Sequence, residues 1–159
     1  MKPGIYFEKI WSDDDLIEIK IDSFDGSSLF SNKVYVSNSG IKDLIAGLSD
    51  FKGKVYGGIY DLRMGEFGTE YANGAFHARL HFHHHSKIHI TIKAQNEFED
   101  FGMKKVASEA TLYLTCEPIM LDNFIAELKG LKTSARPDAK LEALRVARRT
   151  VVLSVDAQL

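Results

Sequence analysis

The chain of 159 residues has a single cysteine, Cys116. One thiol excludes a disulfide scaffold and fits a reducing cytoplasm. Proline is scarce, at Pro3, Pro118 and Pro137 only, and no long Pro/Gly linker divides the sequence. No stretch approaches the ~20 consecutive apolar residues that a membrane helix requires. The opening Met1 to Phe7 lacks the apolar core of a signal peptide, and charges follow at Glu8 and Lys9. The expectation is a soluble, cytoplasmic protein.

Neither sign of charge dominates. Twenty basic residues against 22 acidic ones leave a net charge of −2, which argues against recognition of nucleic acid by bulk charge. The sequence also lacks a phosphate loop, a nucleophile elbow, a dinucleotide fingerprint and a zinc-protease helix. An enzyme of familiar mechanism is therefore not expected. What remains is ordinary globular composition, 45% hydrophobic and 26% charged. That content is too apolar for disorder, and a chain of this length can bury roughly 70% of its unfolded surface without a staple.

The dominant pattern has period two. Ile17, Ile19 and Ile21 alternate with Glu18, Lys20 and Asp22, which predicts a strand with one buried face. Asp25-Gly26-Ser27-Ser28 is turn chemistry, and Phe30 to Ser37 continues as a second strand. Ser39 can cap a short helix carrying Ile41, Leu44, Ile45 and Leu48 at helical spacing. A strand follows over Lys54 to Leu62, with Gly57-Gly58 suggesting a bulge. The glycine-rich Gly65 to Gly74 resists assignment. Phe76 to Ala94 is the clearest hairpin: Phe76, Ala78, Leu80 and Phe82 form one face, and Ile88, Ile90 and Ile92 answer it. A three-residue loop, His84 to Ser86, keeps both apolar sets on one side, pairing His83 with Lys87, Phe82 with Ile88, His81 with His89 and Leu80 with Ile90. The last strand, Ser108 to Glu117, buries Ala110, Leu112, Leu114 and Cys116. Pro118 then suits a helix start, and Leu121, Phe124, Ile125, Leu128 and Leu131 make its stripe.

These elements predict an α+β, β-rich protein. It should be an antiparallel sheet or sandwich of about six strands, with one helix after the last main strand and a C-terminal helical extension. Residues 1–131 form the β-rich domain, with no internal repeat visible. Residues 132–159 form a basic extension that packs on the same domain or on a neighbouring subunit; Arg136-Pro137-Asp138 can open a helix carrying Leu141, Leu144 and Ala147. Charge divides at the same point. The first 131 residues hold 14 basic and 19 acidic side chains, net −5, and the extension holds 6 and 3, net +3.

Only the histidines form a chemical constellation. Five of the six lie between His77 and His85, and His89 follows on the partner strand. In the hairpin register, His81, His83 and His89 share the polar face. Three imidazoles so placed can ligate Zn²⁺ and leave an open position for water. No nearby Asp or Glu is placed to orient them, and where a cupin motif would carry a glutamate this sequence has Lys87 and Ile88. The plain alternative is a solvated strand face that holds no cofactor.

Other candidates are simpler. Trp11 with Asp13, Asp14 and Asp15 can bind a partner or can be a solvated turn. Trp11, Tyr35, Tyr56 and Tyr60 can line a groove or pack in the sheet. Cys116 falls on the apolar face, as an inert buried thiol would. Arg145, Arg148 and Arg149 can touch phosphate or sit at a helix end that favours cations.

Three features in order resemble small bacterial immunity proteins that protect against cell-wall-associated polymorphic toxins. They are the strand Leu16-Ile17-Glu18-Ile19, the central Gly74 leading into long alternating strands, and the final strand Ala110 to Glu117 running into the helix Leu121 to Leu128. The similarity spans roughly residues 11–131 and rests on patterning. It implies a β-rich protein that binds and blocks a partner protein without catalysis of its own, and an acidic body suits a basic toxin. Self-association is the remaining expectation, a homodimer made through the extension and Val151-Val152-Leu153.

Overall fold

The computed structural model describes residues 1–54, 57–84 and 87–144. Among these, two four-stranded antiparallel sheets and two helices surround one core. In chain order they run β1 (Gly4–Ser12), β2 (Leu16–Phe24), β3 (Leu29–Ser37), α1 (Asn38–Phe51), β4 (Ile59–Met64), β5 (Ala75–His84) and β6 (Lys87–Gln95). A small hairpin follows, β7 (Glu99–Phe101) and β8 (Lys104–Val106), then β9 (Glu109–Cys116), α2 (Pro118–Lys132) and β10 (Asp138–Glu142). The first sheet has the order β10-β1-β2-β3 and the second β4-β5-β6-β9. No helix among the described residues is long and apolar enough to cross a membrane.

Alternation decides which face each strand buries. Ile17, Ile19 and Ile21 of β2, Phe76, Ala78, Leu80 and Phe82 of β5, Ile88, Ile90, Ile92 and Ala94 of β6, and Leu112, Leu114 and Cys116 of β9 all point inward. Both helices lay their apolar stripes on the same core: Ile41, Leu44, Leu48 and Phe51 from α1, and Leu121, Phe124, Ile125, Leu128 and Leu131 from α2. Aromatic rings tie the layers together. Phe7 of β1 meets Phe124 edge-on at 5.4 Å and Phe76 at 6.1 Å, and Phe51 stacks on Phe82 at 4.7 Å.

The connectivity repeats. Three strands, a helix and a fourth strand occur twice, as β1-β2-β3-α1-β4 and as β5-β6-β9-α2-β10. Each closing strand leaves its own sheet and joins the other: β4 pairs with β5, and β10 pairs with β1. Away from the β1–β2 and β5–β6 hairpin tips the registers agree residue by residue. Ile19 faces Val34 as Ile90 faces Leu114, and Phe7 lies between Ile21 and Ala139 as Ala78 lies between Ile92 and Leu62. The helices cross as well, because Phe51 of the first unit packs on β5 and Phe124 of the second packs on β1. One difference stands out: the tight turn at Asp25–Ser28 in the first unit becomes the β7–β8 hairpin in the second.

Several sequence expectations need revision. The count of six strands missed β1, where Ile5 and Phe7 are inward but Ile10 and Trp11 are exposed and break the alternation. Where a helix was expected to open at Arg136-Pro137-Asp138 and carry Leu141, the chain forms β10 over Asp138–Glu142, with Ala139 and Leu141 buried against β1. Residues 138–144 thus pack on their own chain. The rest of the expected helix, Arg145, Arg148, Arg149 and Val151-Val152-Leu153 lie outside the described residues. Ser37, two residues before the expected Ser39, caps α1 by accepting from the Gly40 amide at 3.0 Å. The Lys54–Leu62 strand starts later, at Ile59, and no internal repeat was visible because the two units share connectivity without sequence likeness.

Candidate functional site

The register places both sequence-derived sites at equivalent ends of the two units. In the β1–β2 hairpin, Trp11 faces Glu18; in the β5–β6 hairpin, His81 faces His89. Glu18 and His89 occupy matching positions in β2 and β6, opposite Tyr35 and Thr115. The same scaffold therefore presents an acidic, aromatic tip in one unit and an imidazole-bearing tip in the other.

At the first tip, Asp13 holds the turn. Its Oδ1 accepts from the Leu16 amide at 2.7 Å and the Asp15 amide at 2.9 Å, the local bonding for which aspartate is favoured in turns. The main-chain oxygen of Asp14 accepts from the Asn38 side chain at 2.7 Å, anchoring the tip to the start of α1. Asp14 and Asp15 are exposed. So are Ile10 at 40% and Trp11 at 47%. A register shift between Lys9 and Trp11 turns the tryptophan onto the face that carries Glu18 and Tyr35. Of the four aromatic residues considered as a groove, Trp11 and Tyr35 therefore flank Glu18 in one row. Tyr60 lies apart against Phe51 at 6.3 Å, and Tyr56 is outside the described residues.

At the second tip the expected pairings Phe82–Ile88, His81–His89 and Leu80–Ile90 are present. Beyond Phe82 the register shifts, so His84 rather than His83 faces Lys87. The shift leaves His83 exposed between its neighbours, with ring centroids 5.6 Å from His81 and 5.6 Å from His89. Thr115 Oγ1 lies 3.4 Å from His89 Nδ1. Among the described residues, no group of three or more His, Cys, Asp or Glu side chains is placed so that it could hold a metal ion as it stands.

The same sheet face carries a second polar cluster. Asp61 of β4 accepts from Arg79 Nε at 2.8 Å and from Arg79 at its second oxygen at 3.1 Å, with His77 Nε2 2.8 Å away. The Arg79 hydrogen bonds, helped by His77, hold the Asp61 carboxyl well below the usual carboxylate range. Asp61 thus serves His77 and Arg79. It does not orient the His81–His83–His89 group.

Cys116 is buried, and burial with Glu117 alongside pushes its thiol up to about 12. It is chemically quiet. One exposed apolar feature escaped the sequence reading: Phe101 is 67% exposed and Met103 fully so, at the β7–β8 turn where Gly102 adopts φ +64°. The pattern Phe-Gly-Met between Asp100 and Lys104 could have signalled a hairpin with an apolar tip. Searches against protein-family models, curated proteins and solved structures find no match for this chain.

Proposed function

We propose that this chain is a non-catalytic protein-binding protein, acting as an immunity-type inhibitor that docks a basic partner protein through the β1–β2 tip. The observation that carries the reading is the exposure of Trp11 and Ile10 beside Asp14 and Asp15. Tryptophan dominates binding energy when a partner desolvates it, and surrounding carboxylates steer a basic partner to it. Asp13 serves by fixing the turn from which the others project.

Trp11 is the only tryptophan, so its emission reports on this tip alone. The test is to mix the protein with the polypeptide encoded beside its gene, and to co-express the two for growth rescue. Binding should shift Trp11 emission. Trp11→Ala should weaken the complex about 30-fold or more, the loss of a hot spot of about 2 kcal/mol. Asp14→Asn with Asp15→Asn should slow association and flatten its salt dependence. Full protection by Trp11→Ala, with no emission change on mixing, would overturn the reading.

A further inference from the structure

The two units share one connectivity, so differences at matching positions are not imposed by the fold. The first unit builds its hairpin with Trp11 facing Glu18 and no histidine anywhere, whereas the second places His81, His83 and His89 at the corresponding end. An imidazole cluster is thus an addition to a hairpin that folds without one.

The cluster is not closed for a metal as it stands, but two of its ring separations come near the value that a metal requires. With Zn–N bonds of ~2.0–2.1 Å, imidazoles at a tetrahedral angle hold their ring centres ~5 Å apart. His83 stands 5.6 Å from each neighbour, so both pairs lie about half an ångström beyond that separation. His83 and His89 are exposed and His81 is half-buried. Closing around an ion would exchange the present contacts of these side chains for the metal, with no change in the buried face, where Phe82, Ile88 and Ile90 fix the backbone. The Thr115 hydroxyl beside His89 Nδ1 supplies a polar neighbour of the kind that orients a ligating ring. Tight register at His81–His89 and the shift at His83 hold the three bases of these side chains together.

We propose that His81, His83 and His89 bind one Zn²⁺-class divalent transition metal, three imidazoles holding the ion and water filling the remaining position. The site lies on the opposite unit from Trp11 and is independent of the docking reading.

The experiment uses untagged, metal-stripped full-length protein titrated with Zn²⁺ by calorimetry, with metal content after dialysis and imidazole nitrogen NMR shifts as second readouts. The expected result is one ion per chain. Separate His81→Gln, His83→Gln and His89→Gln variants should each weaken binding about 100-fold or more, beyond the 10–100-fold that loss of a mere orienting neighbour costs. His77→Gln and the double variant His84→Gln, His85→Gln should bind as the parent does. Affinity should fall on acidification, since protons compete for the ligating nitrogens. Unchanged circular dichroism of these surface variants confirms that they fold. The proposal is overturned by three results: no saturable 1:1 binding, binding retained in His83→Gln, or binding abolished by the His84, His85 double variant.

Discussion

Asn32 of β3 offers a test of how the two units are locked. Its side chain is 2% exposed, and its Nδ2 donates to the Ala75 oxygen at 3.1 Å and the Gln95 oxygen at 3.3 Å. Both partners are acceptors, so the amide nitrogen must face them. They lie at the start of β5 and the end of β6, which makes Asn32 a cross-link from the first sheet to the second. Its Oδ1 is buried and unpartnered among the described residues. The position matching Asn32 in the second unit is Leu112, so the polar residue belongs to this junction alone. Asn32→Ala removes two hydrogen bonds worth about 1 kcal/mol each, for a net loss of about 2 kcal/mol. Asn32→Asp is more revealing. A carboxylate would face two carbonyl oxygens at a buried position, so the folded protein must keep it protonated and its folded pKa rises above the unfolded ~3.9. Stability is then retained below pH ~4 and lost as pH rises. Holding that proton at pH 7 costs up to about 4 kcal/mol, at about 1.36 kcal/mol per pH unit. One donor is missing at every pH, a constant loss of about 1 kcal/mol. Urea unfolding of the wild-type protein and Asn32→Asp should therefore give a gap of about 1 kcal/mol at pH 4 that widens by several kcal/mol at pH 7. A gap that stays constant between those pH values, or an Asn32→Ala loss below about 0.5 kcal/mol, would refute the cross-link.

Two further outcomes follow from the polar cluster and the thiol. Asp61→Asn should cost about 1 kcal/mol at pH 7, a value discounted because the Asp61 side chain is 28% exposed. Its folded pKa is depressed by Arg79 and His77, so that stability is present above the unfolded value and disappears as pH falls. The urea gap should close in acid, the reverse of Asn32→Asp, and a gap that grows there would contradict the assignment. Cys116 should resist a thiol-reactive dye in the native state and react stoichiometrically in urea. With its thiol raised to about 12, the neutral form is the folded one, and its stabilisation is kept below the unfolded ~8.5 and lost only as pH rises further. Rapid native labelling at pH 8 would show the β9 face to be open.

What the sequence made legible follows burial on one face. The hairpin register around His81 and His89 was readable because a one-residue slip would have exposed Phe82 and Ile88 together. The α2 stripe was readable for the same reason, five apolar positions at helical spacing. The shift at His83 was not, since His83 and His84 are both polar and no burial penalty decides which of them pairs with Lys87. β10 was misread because Ala139 and Leu141 are two apolar residues in a short segment, too few to separate period two from period three or four; their burial depends on β1, more than 120 positions earlier in the chain. The acidic tip was found as a charge run, yet the exposure of Trp11 depends on the β1 register shift, which no local pattern announces.

The repeated connectivity turns this comparison into a functional argument. At matching edge positions the units keep their charges: Asp61 corresponds to Asp138, and Arg63 to Lys140. In the inner strands two of them invert, Glu8 corresponding to Arg79 and Asp22 to Lys93, and Glu18 gives way to His89. Fold stability alone does not demand such an inversion, since solvent-facing charges on a sheet contribute little and either sign serves. The inward positions change mostly in size, as Phe7 against Ala78, with Asn32 against Leu112 an exception, while several outward ones change in kind. Two sheets that began equivalent in plan would thus present different chemistry to different occupants, a basic protein at the Trp11 tip and a metal ion at the histidine tip. That separation carries its own consequence. Trp11→Ala should leave Zn²⁺ affinity unchanged and His83→Gln should leave protection against the partner unchanged, and a loss of either would tie the two tips into one site.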